Sequence, residues 1–115
     1  MQWQARVDLS SDGDLRLDSP MLEGTPVDLL VAAVATCFVK SCHLVQEARG
    51  DAKSAVHCDV TGTKAEGPPN RIGHMRIAWS LPGLDAAQAE RIAKDAKRIC
   101  TVTNSLSCET EMVTL

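Results

Sequence analysis

One segment of the chain, residues 27–39, constrains the fold most because nearly all of its side chains are apolar. Thr25 is a favourable N-cap, Pro26 suits the first helical position, and Asp28 complements the helix dipole. These signals predict a helix, with Gly50 just past its end. A helix that is apolar on most of its circumference has to be buried on most sides. In a chain of 115 residues, we therefore expect a sheet on one side of the helix and a second subunit on the other.

The rest of the chain alternates between strand and helix patterns. An amphipathic helix is predicted over 86–99 with Asp85 as its N-cap, and a short helical turn over 101–106. The predicted strands, identified by alternating side chains and by turn clusters between them, cover 2–7, 15–18, 54–64, 72–81 and 109–115. This order predicts an α+β fold in which helices cover one face of a mainly antiparallel sheet. We expect one domain, 1–115.

Composition argues against two classes of partner. The net charge of −3 and the aromatic content of 3% argue against nucleic-acid binding, which needs a basic face or exposed rings. The start of the chain shows no signal-peptide pattern. The apolar run 27–39 is shorter than the roughly 20 residues that span a bilayer. We therefore expect a soluble, cytoplasmic protein with no membrane partner.

The cysteines are the candidate chemical groups. There are five, and in a reducing compartment they are more often free, catalytic or redox-active than part of a disulfide framework. No two have the close spacing of a zinc site, so no metal is expected, and the glycines form no phosphate-binding pattern. Cys42 and Cys58 are interpreted as packing residues, whereas the position of Cys108 is uninformative.

Two cysteines occupy distinctive positions. Cys37 lies within the apolar helix, where packing is again the simplest interpretation. Cys100 follows the amphipathic helix, and Lys97 and Arg98 either favour its thiolate or belong to the solvated helix face. The sequence pattern alone leaves both alternatives open.

A family resemblance adds a function. The segment from Pro26 to Phe38, followed much later by Cys100-Thr101-Val102-Thr103-Asn104-Ser105-Leu106, resembles the OsmC/Ohr superfamily of osmotically inducible and organic hydroperoxide resistance proteins. Members of that family typically show an Asn-Pro-Glu-like helix start, Ala-rich residues, Cys-Phe and then Cys-Pro-Val-Ser-Asn. The order of strands and helices is also similar, so the resemblance covers nearly the whole chain. It implies an OsmC-like fold and an intertwined homodimer with active sites at the subunit interface.

By this resemblance, Cys37 would be the peroxidatic thiol and Cys100 the resolving thiol of a peroxidase that reduces small organic hydroperoxides. Such an enzyme uses an external dithiol reductant and no bound cofactor. An apolar wall formed by Val34, Phe38 and their neighbours would suit an organic substrate. The alternative is a non-catalytic dimeric module that binds an apolar small molecule, or senses oxidants, in the same cleft.

The sequence departs from the family pattern at the activating groups. Val27 stands where the family has the glutamate that holds an activating arginine, and Thr101 replaces the proline after the second cysteine. Asp28 is one position later and would face about 100° away. Arg6 is the nearest candidate for the arginine and Arg16 the next. This departure motivates the non-catalytic alternative.

Overall fold

The elements of the structure follow the order that the sequence predicts. The computed structural model of the chain describes residues 1–20 and 23–115. Its strands are β1 (Gln2–Leu9), β2 (Leu15–Asp18), β3 (Val56–Lys64), β4 (Ile72–Ser80) and β5 (Glu109–Thr114), and its helices are α1 (Pro26–Ala48), α2 (Ala86–Ile99) and α3 (Thr101–Asn104). The α+β prediction is confirmed, and the predicted element bounds differ from those observed by at most a few residues.

The five strands form one sheet in the order β2-β1-β3-β4-β5. Three pairs are antiparallel and the β4–β5 pair is parallel, so the mainly antiparallel prediction is confirmed. Side chains alternate between the two faces of a strand. In register, Val7 lies beside Cys58 and Cys58 beside Trp79, and all three are buried under the helices. Asp8 and His57 occupy the opposite face of the sheet.

Helix α1 supplies the centre of the core. Its start matches the local signals, because the Asp28 carboxylate accepts hydrogen bonds from the Thr25 N–H at 2.7 Å and the Thr25 hydroxyl at 3.2 Å. Gly50 adopts a φ of +74°, which favours glycine after a helix. One face of the helix packs on β1 and β3, with Val31, Val34, Phe38 and Val39 fully buried.

The whole of α1 is longer than its apolar run. The helix has 23 residues and a mean hydropathy of 1.6 in its most apolar window, so length and composition alone would allow it to cross a bilayer. The apolar run 27–39 is itself shorter than a bilayer span, and the helix reaches that length only because it continues to Ala48. The core helix of a soluble protein passes the same test, and 56% of that window is buried within this chain.

The C-terminal half of α1 is fixed by polar contacts. His43 Nε2 lies 2.8 Å from the Ser54 carbonyl oxygen, and Gln46 Nε2 donates to Ser54 Oγ at 2.8 Å. An ion pair between Arg49 and Asp95 ties the end of α1 to α2. Leu106 lines the same cavity as Val27 and Leu30, so the chain after α2 runs back along α1 towards its start.

Candidate redox site

Cys37 lies halfway along α1 at the boundary between buried and exposed positions. Its neighbour Phe38 is fully buried against the sheet, whereas the Cys37 side chain is partly exposed. The Cys37 sulfur lies 4.0 Å from the hydroxyl oxygen of Ser41, one helical turn later. The thiol can therefore be reached from solvent while it is held against a polar group.

Cys100 occupies the junction at which α2 ends and α3 begins. The residue is the C-cap of one helix and the N-cap of the next, and its side chain has no solvent exposure. Its sulfur lies 3.1 Å from the hydroxyl oxygen of Thr103, which is also buried. The break between the two helices therefore turns a thiol inward at a fixed position.

The structure makes the thiols of Cys37 and Cys100 neighbours. Burial is the main cause that raises the pKa of Cys100, the hydrogen bond to Thr103 opposes this rise, and the Cys37 thiol raises the pKa further. A raised pKa keeps Cys100 largely protonated at neutral pH. The site thus pairs a reachable thiol with a sequestered one.

Two further thiols lie deeper in the same core. Burial raises the pKa of Cys42 to about 12, with a smaller contribution from the charge of Cys100. Burial also raises the pKa of Cys58, and the charge of Cys42 adds to the effect. Neither side chain is exposed to solvent. These properties agree with the interpretation of Cys42 and Cys58 as packing residues, because a protonated, inaccessible thiol is unreactive.

Neither candidate arginine lies beside Cys37 within the chain. Arg6 alternates with Ala5 and Val7, which face α1, so its side chain is on the other face of the sheet. There Arg6 Nε donates to Asp59 Oδ1 at 2.9 Å, and this interaction raises the pKa of Arg6. Arg16 lies opposite Asp8 in the register of β1 and β2, so its side chain is on that same outer face.

Within one chain, neither Arg6 nor Arg16 is therefore placed to act on the Cys37 thiol. The Asp28 carboxylate caps the start of α1. Asp28 precedes Cys37 by nine residues, which corresponds to about 13.5 Å along the helix axis. Across residues 1–20 and 23–115, no lysine or arginine side chain forms a hydrogen bond with the Cys37 thiol. In the same two ranges, no three histidine, cysteine or acidic side chains are grouped so as to hold a metal ion.

A cavity of about 310 Å³ lies along the start of α1, and we call it the α1 groove. Its lining is mainly apolar and comprises Val27, Leu30, Arg71, Ile72, Leu106, Ser107 and Cys108. The expectation that Val34 and Phe38 form the apolar wall was wrong, because both are fully buried in the core. The residues of the groove come from three distant parts of the sequence, so no local pattern could have identified them.

The fold and the sequence together decide the family. The family model for OsmC-like proteins matches residues 19–114. The chain belongs to the OsmC-like family. The compact OsmC-like fold is typical of a soluble protein.

Solved structures with this fold come from several bacteria. The organic hydroperoxide resistance protein OhrB of Bacillus subtilis is 13% identical, with a TM-score of 0.71 and 96% of each chain covered. An organic hydroperoxide resistance protein OsmC from Legionella pneumophila is 17% identical, with a TM-score of 0.68 over 96% of this chain and 92% of that one.

An OsmC-like protein from Mycoplasma pneumoniae is 14% identical, with a TM-score of 0.69 over 96% of this chain and 94% of that one. No curated protein matches the sequence. At these identities the solved structures support the fold of this OsmC-like protein and leave its activity to be argued from its own residues.

Proposed function

We propose that this OsmC-like protein is a thiol-dependent peroxidase that reduces small organic hydroperoxides with Cys37 as the peroxidatic thiol and Cys100 as the resolving thiol. The observation that carries the proposal is the pairing of a partly exposed thiol with a buried neighbouring thiol. The first can meet a substrate, and the second is protected from direct oxidation while it waits for its partner.

The reaction balances with groups of the chain and an external dithiol. The Cys37 thiolate attacks one oxygen of the hydroperoxide, the O–O bond breaks, and the other oxygen leaves as the alcohol after protonation. Cys37 is then a sulfenic acid. The Cys100 sulfur attacks the Cys37 sulfur, water leaves, and a disulfide forms. An external dithiol reduces that disulfide to two thiols and becomes oxidised itself. A cytoplasmic location, where dithiol reductants are maintained, is part of the proposal.

Some groups that these steps need are present around the site, and one is missing. The Ser41 hydroxyl lies beside the Cys37 sulfur, and the Thr103 hydroxyl lies beside the Cys100 sulfur and lowers the pKa of Cys100. The α1 groove, whose lining residue Leu30 lies two helical turns before Cys37 on α1, offers apolar surface to an organic substituent. The missing feature is a cation beside Cys37, which a second subunit would have to supply.

A homodimer is part of the proposal because one face of α1 has no partner in the described chain. Leu29 is 46% exposed and Leu44 is 58% exposed, and with Ala33 and Cys37 they follow one another along the same stripe of the helix. A second copy that packs on this stripe would cover the apolar side chains and enclose the Cys37 thiol. Leu44→Glu should therefore convert a dimer into a monomer in light scattering, whereas Glu90→Ala, at an exposed position of α2 outside this stripe, should leave the dimer intact.

The activity test uses variants of two cysteines. Wild-type protein should consume cumene hydroperoxide in the presence of a dithiol, and Cys37→Ser should lower the rate by at least about 100-fold because a hydroxyl is a far weaker nucleophile than a thiolate. Cys58→Ala is the matched control, since it removes a thiol from the core and leaves the site thiols in place. A Cys37→Ser variant with the wild-type rate would exclude Cys37 as the peroxidatic residue.

The second candidate function is an OsmC-like module that binds an apolar small molecule, or senses oxidants, without turnover. Val27 in place of the family's acidic residue, together with the absence of a cationic hydrogen-bond partner for Cys37 within the described residues, favours this candidate. The amount of hydroperoxide consumed per site distinguishes the two candidate functions. A sensor would consume about one equivalent of hydroperoxide per site and stop even with excess dithiol, whereas a peroxidase would continue.

A further inference from the structure

A single residue, Cys100, separates α2 from α3. Its φ of −71° and ψ of 100° are extended, so the chain leaves the helical conformation at Cys100 and re-enters it at Thr101. A rotation about these two bonds would turn α3 relative to α2 and would change the direction of the Cys100 side chain. The position of the Cys100 sulfur therefore depends on what holds the two helices together.

The side chain of Asn104 joins the two helices across Cys100. Asn104 Nδ2 donates to the Arg98 carbonyl oxygen at 2.8 Å. The backbone N–H of Asn104 donates to the Cys100 carbonyl oxygen at 3.0 Å. The Arg98 carbonyl belongs to the last turn of α2, whose carbonyl groups lack partners within their own helix, so the Asn104 amide caps that turn. One residue of α3 is thus bonded both to the end of α2 and to Cys100.

The Cys100 sulfur is tied to the same short helix. It lies 3.1 Å from the hydroxyl oxygen of Thr103, and both residues are buried. Thr103 therefore fixes the sulfur relative to α3, and Asn104 fixes α3 relative to α2. Helix α2 is in turn anchored to α1, which carries the other thiol, by the ion pair between Arg49 and Asp95. A continuous set of contacts leads from Asn104 to the relative placement of the two thiols.

A second side-chain hydrogen bond of α3 provides the contrast. Ser105 Oγ donates to the Thr101 carbonyl oxygen at 2.7 Å. Ser105 and Thr101 both follow Cys100, so this bond stays on one side of the junction. Asn104 and Ser105 are adjacent and exposed, and the side chain of each donates to a backbone carbonyl. Of these two bonds, only that of Asn104 spans Cys100.

We propose that Asn104 is a positioning residue for the resolving step: its amide holds α3 against the end of α2 and so keeps the Cys100 sulfur beside the Cys37 sulfur. The inference rests on the proposed function for the identity of the two reacting thiols. Asn104 acts through the backbone of α2, so it is not a catalytic residue. Because Asn104 is exposed, water can take the place of its amide, and loss of the amide slows disulfide closure without preventing it.

The test follows disulfide closure with a reagent that replaces the hydroperoxide. One equivalent of dipyridyl disulfide reacts with the partly exposed Cys37 thiolate, which forms a mixed disulfide and releases one thiopyridone. The Cys100 thiolate then attacks the Cys37 sulfur, the bond to the pyridyl sulfur breaks, and a second thiopyridone leaves. The absorbance of thiopyridone measures both rates. All proteins in the comparison carry Cys108→Ala, because Cys108 is also partly exposed.

Asn104→Ala should slow the second release roughly threefold to tenfold at pH 7, the range expected for one lost hydrogen bond, and leave the first release unchanged. Asn104→Leu keeps the branched shape of the side chain without its N–H donor and should be slowed equally. Asn104→Gln keeps the amide and should retain part of the wild-type rate. Ser105→Ala is the matched control and should close at the wild-type rate.

An Asn104→Ala variant that closes as fast as Ser105→Ala, or faster, would overturn the inference. Equal slowing of both releases would also overturn it, because a general loosening of the fold has that effect. Absence of a second release from the protein with native Asn104 would show that Cys37 and Cys100 do not pair, and would refute the inference together with the proposed thiol pair. Closure without turnover of any hydroperoxide would refute the proposed function alone, and the two release rates would still decide the role of Asn104.

Discussion

Two pairs of cysteines lie in the same part of this protein and differ in access. Cys42 and Cys58 have no solvent exposure and face apolar neighbours between α1 and the sheet. Cys100 is equally buried, but it is adjacent to Cys37, which is partly exposed, and each thiol of this second pair lies near a hydroxyl group. Burial alone therefore does not separate a packing thiol from a redox thiol. The difference is whether a reachable thiol stands next to the buried one.

The largest effect expected from this comparison is in the pH dependence of disulfide closure. Because the pKa of Cys100 is raised above the ordinary 9.0, its thiolate fraction at neutral pH is small and grows about tenfold per pH unit. Closure of the disulfide after Cys37 oxidation should therefore accelerate about 100-fold between pH 6 and pH 8. Rapid-quench alkylation after one equivalent of hydroperoxide measures this rate.

The control for that experiment is the oxidation of Cys37 itself in a Cys100→Ser variant, which separates the two steps. A closure rate in wild-type protein that stayed constant from pH 6 to pH 8 would show that Cys100 does not attack as a thiolate from its buried position.

The second effect concerns the packing thiols and the free energy of unfolding. Because burial raises the folded-state pKa of Cys42 to about 12, the folded state holds this proton more tightly than the unfolded chain does. The resulting stability is fully present below the unfolded pKa, near pH 9, and is lost as the pH rises towards 12. Each such thiol contributes a slope of up to about 1.4 kcal/mol per pH unit.

Chemical denaturation between pH 8 and pH 10.5 tests this expectation. Cys42→Ala should be less stable than wild-type protein at pH 8 because it leaves a small cavity, yet it should lose less stability per pH unit above pH 9. Cys108→Ala, at a partly exposed site, should keep the wild-type slope. Equal slopes for all three proteins would show that Cys42 ionises as freely as a surface thiol.

The smallest effect is expected at Thr103. Its hydroxyl lowers the pKa of Cys100, so Thr103→Val should raise that pKa and slow disulfide closure at pH 7 roughly threefold to tenfold, the equivalent of one hydrogen bond. Thr101→Val is the matched control because Thr101 is exposed on the same short helix. Identical closure rates for the two variants would remove Thr103 from the site.

Local signals were sufficient for the elements. Thr25, Pro26 and Asp28 lie within four consecutive residues and mark the start of α1. The capping contacts of the structure join Thr25 and Asp28. The alternation of side chains in β1 also indicated which face of the sheet Arg6 occupies, because its neighbours Ala5 and Val7 are apolar and face the core. Weighing that alternation would have excluded Arg6 as a neighbour of Cys37 in the same chain.

The site itself depended on contacts that no local pattern encodes. Leu30, Ile72 and Leu106 converge in the α1 groove only because the chain after α2 folds back along α1 and β4 begins beside the start of α1. The parallel pairing of β5 with β4 likewise depends on where α2 and α3 return the chain. The nomination of Cys37 and Cys100 came from a family motif, since the residues around each allowed packing as well as reactivity.

The most direct test of the central claim is disulfide mapping after one equivalent of cumene hydroperoxide in the absence of dithiol. Trypsin cleaves after Lys40 and so separates Cys37 from Cys42, and chymotrypsin cleaves after Leu106 and separates Cys100 from Cys108. The account predicts a disulfide between the peptides of Cys37 and Cys100, with Cys42 and Cys58 recovered as free thiols. Recovery of all five cysteines as thiols, or a disulfide that omits Cys37, would contradict it.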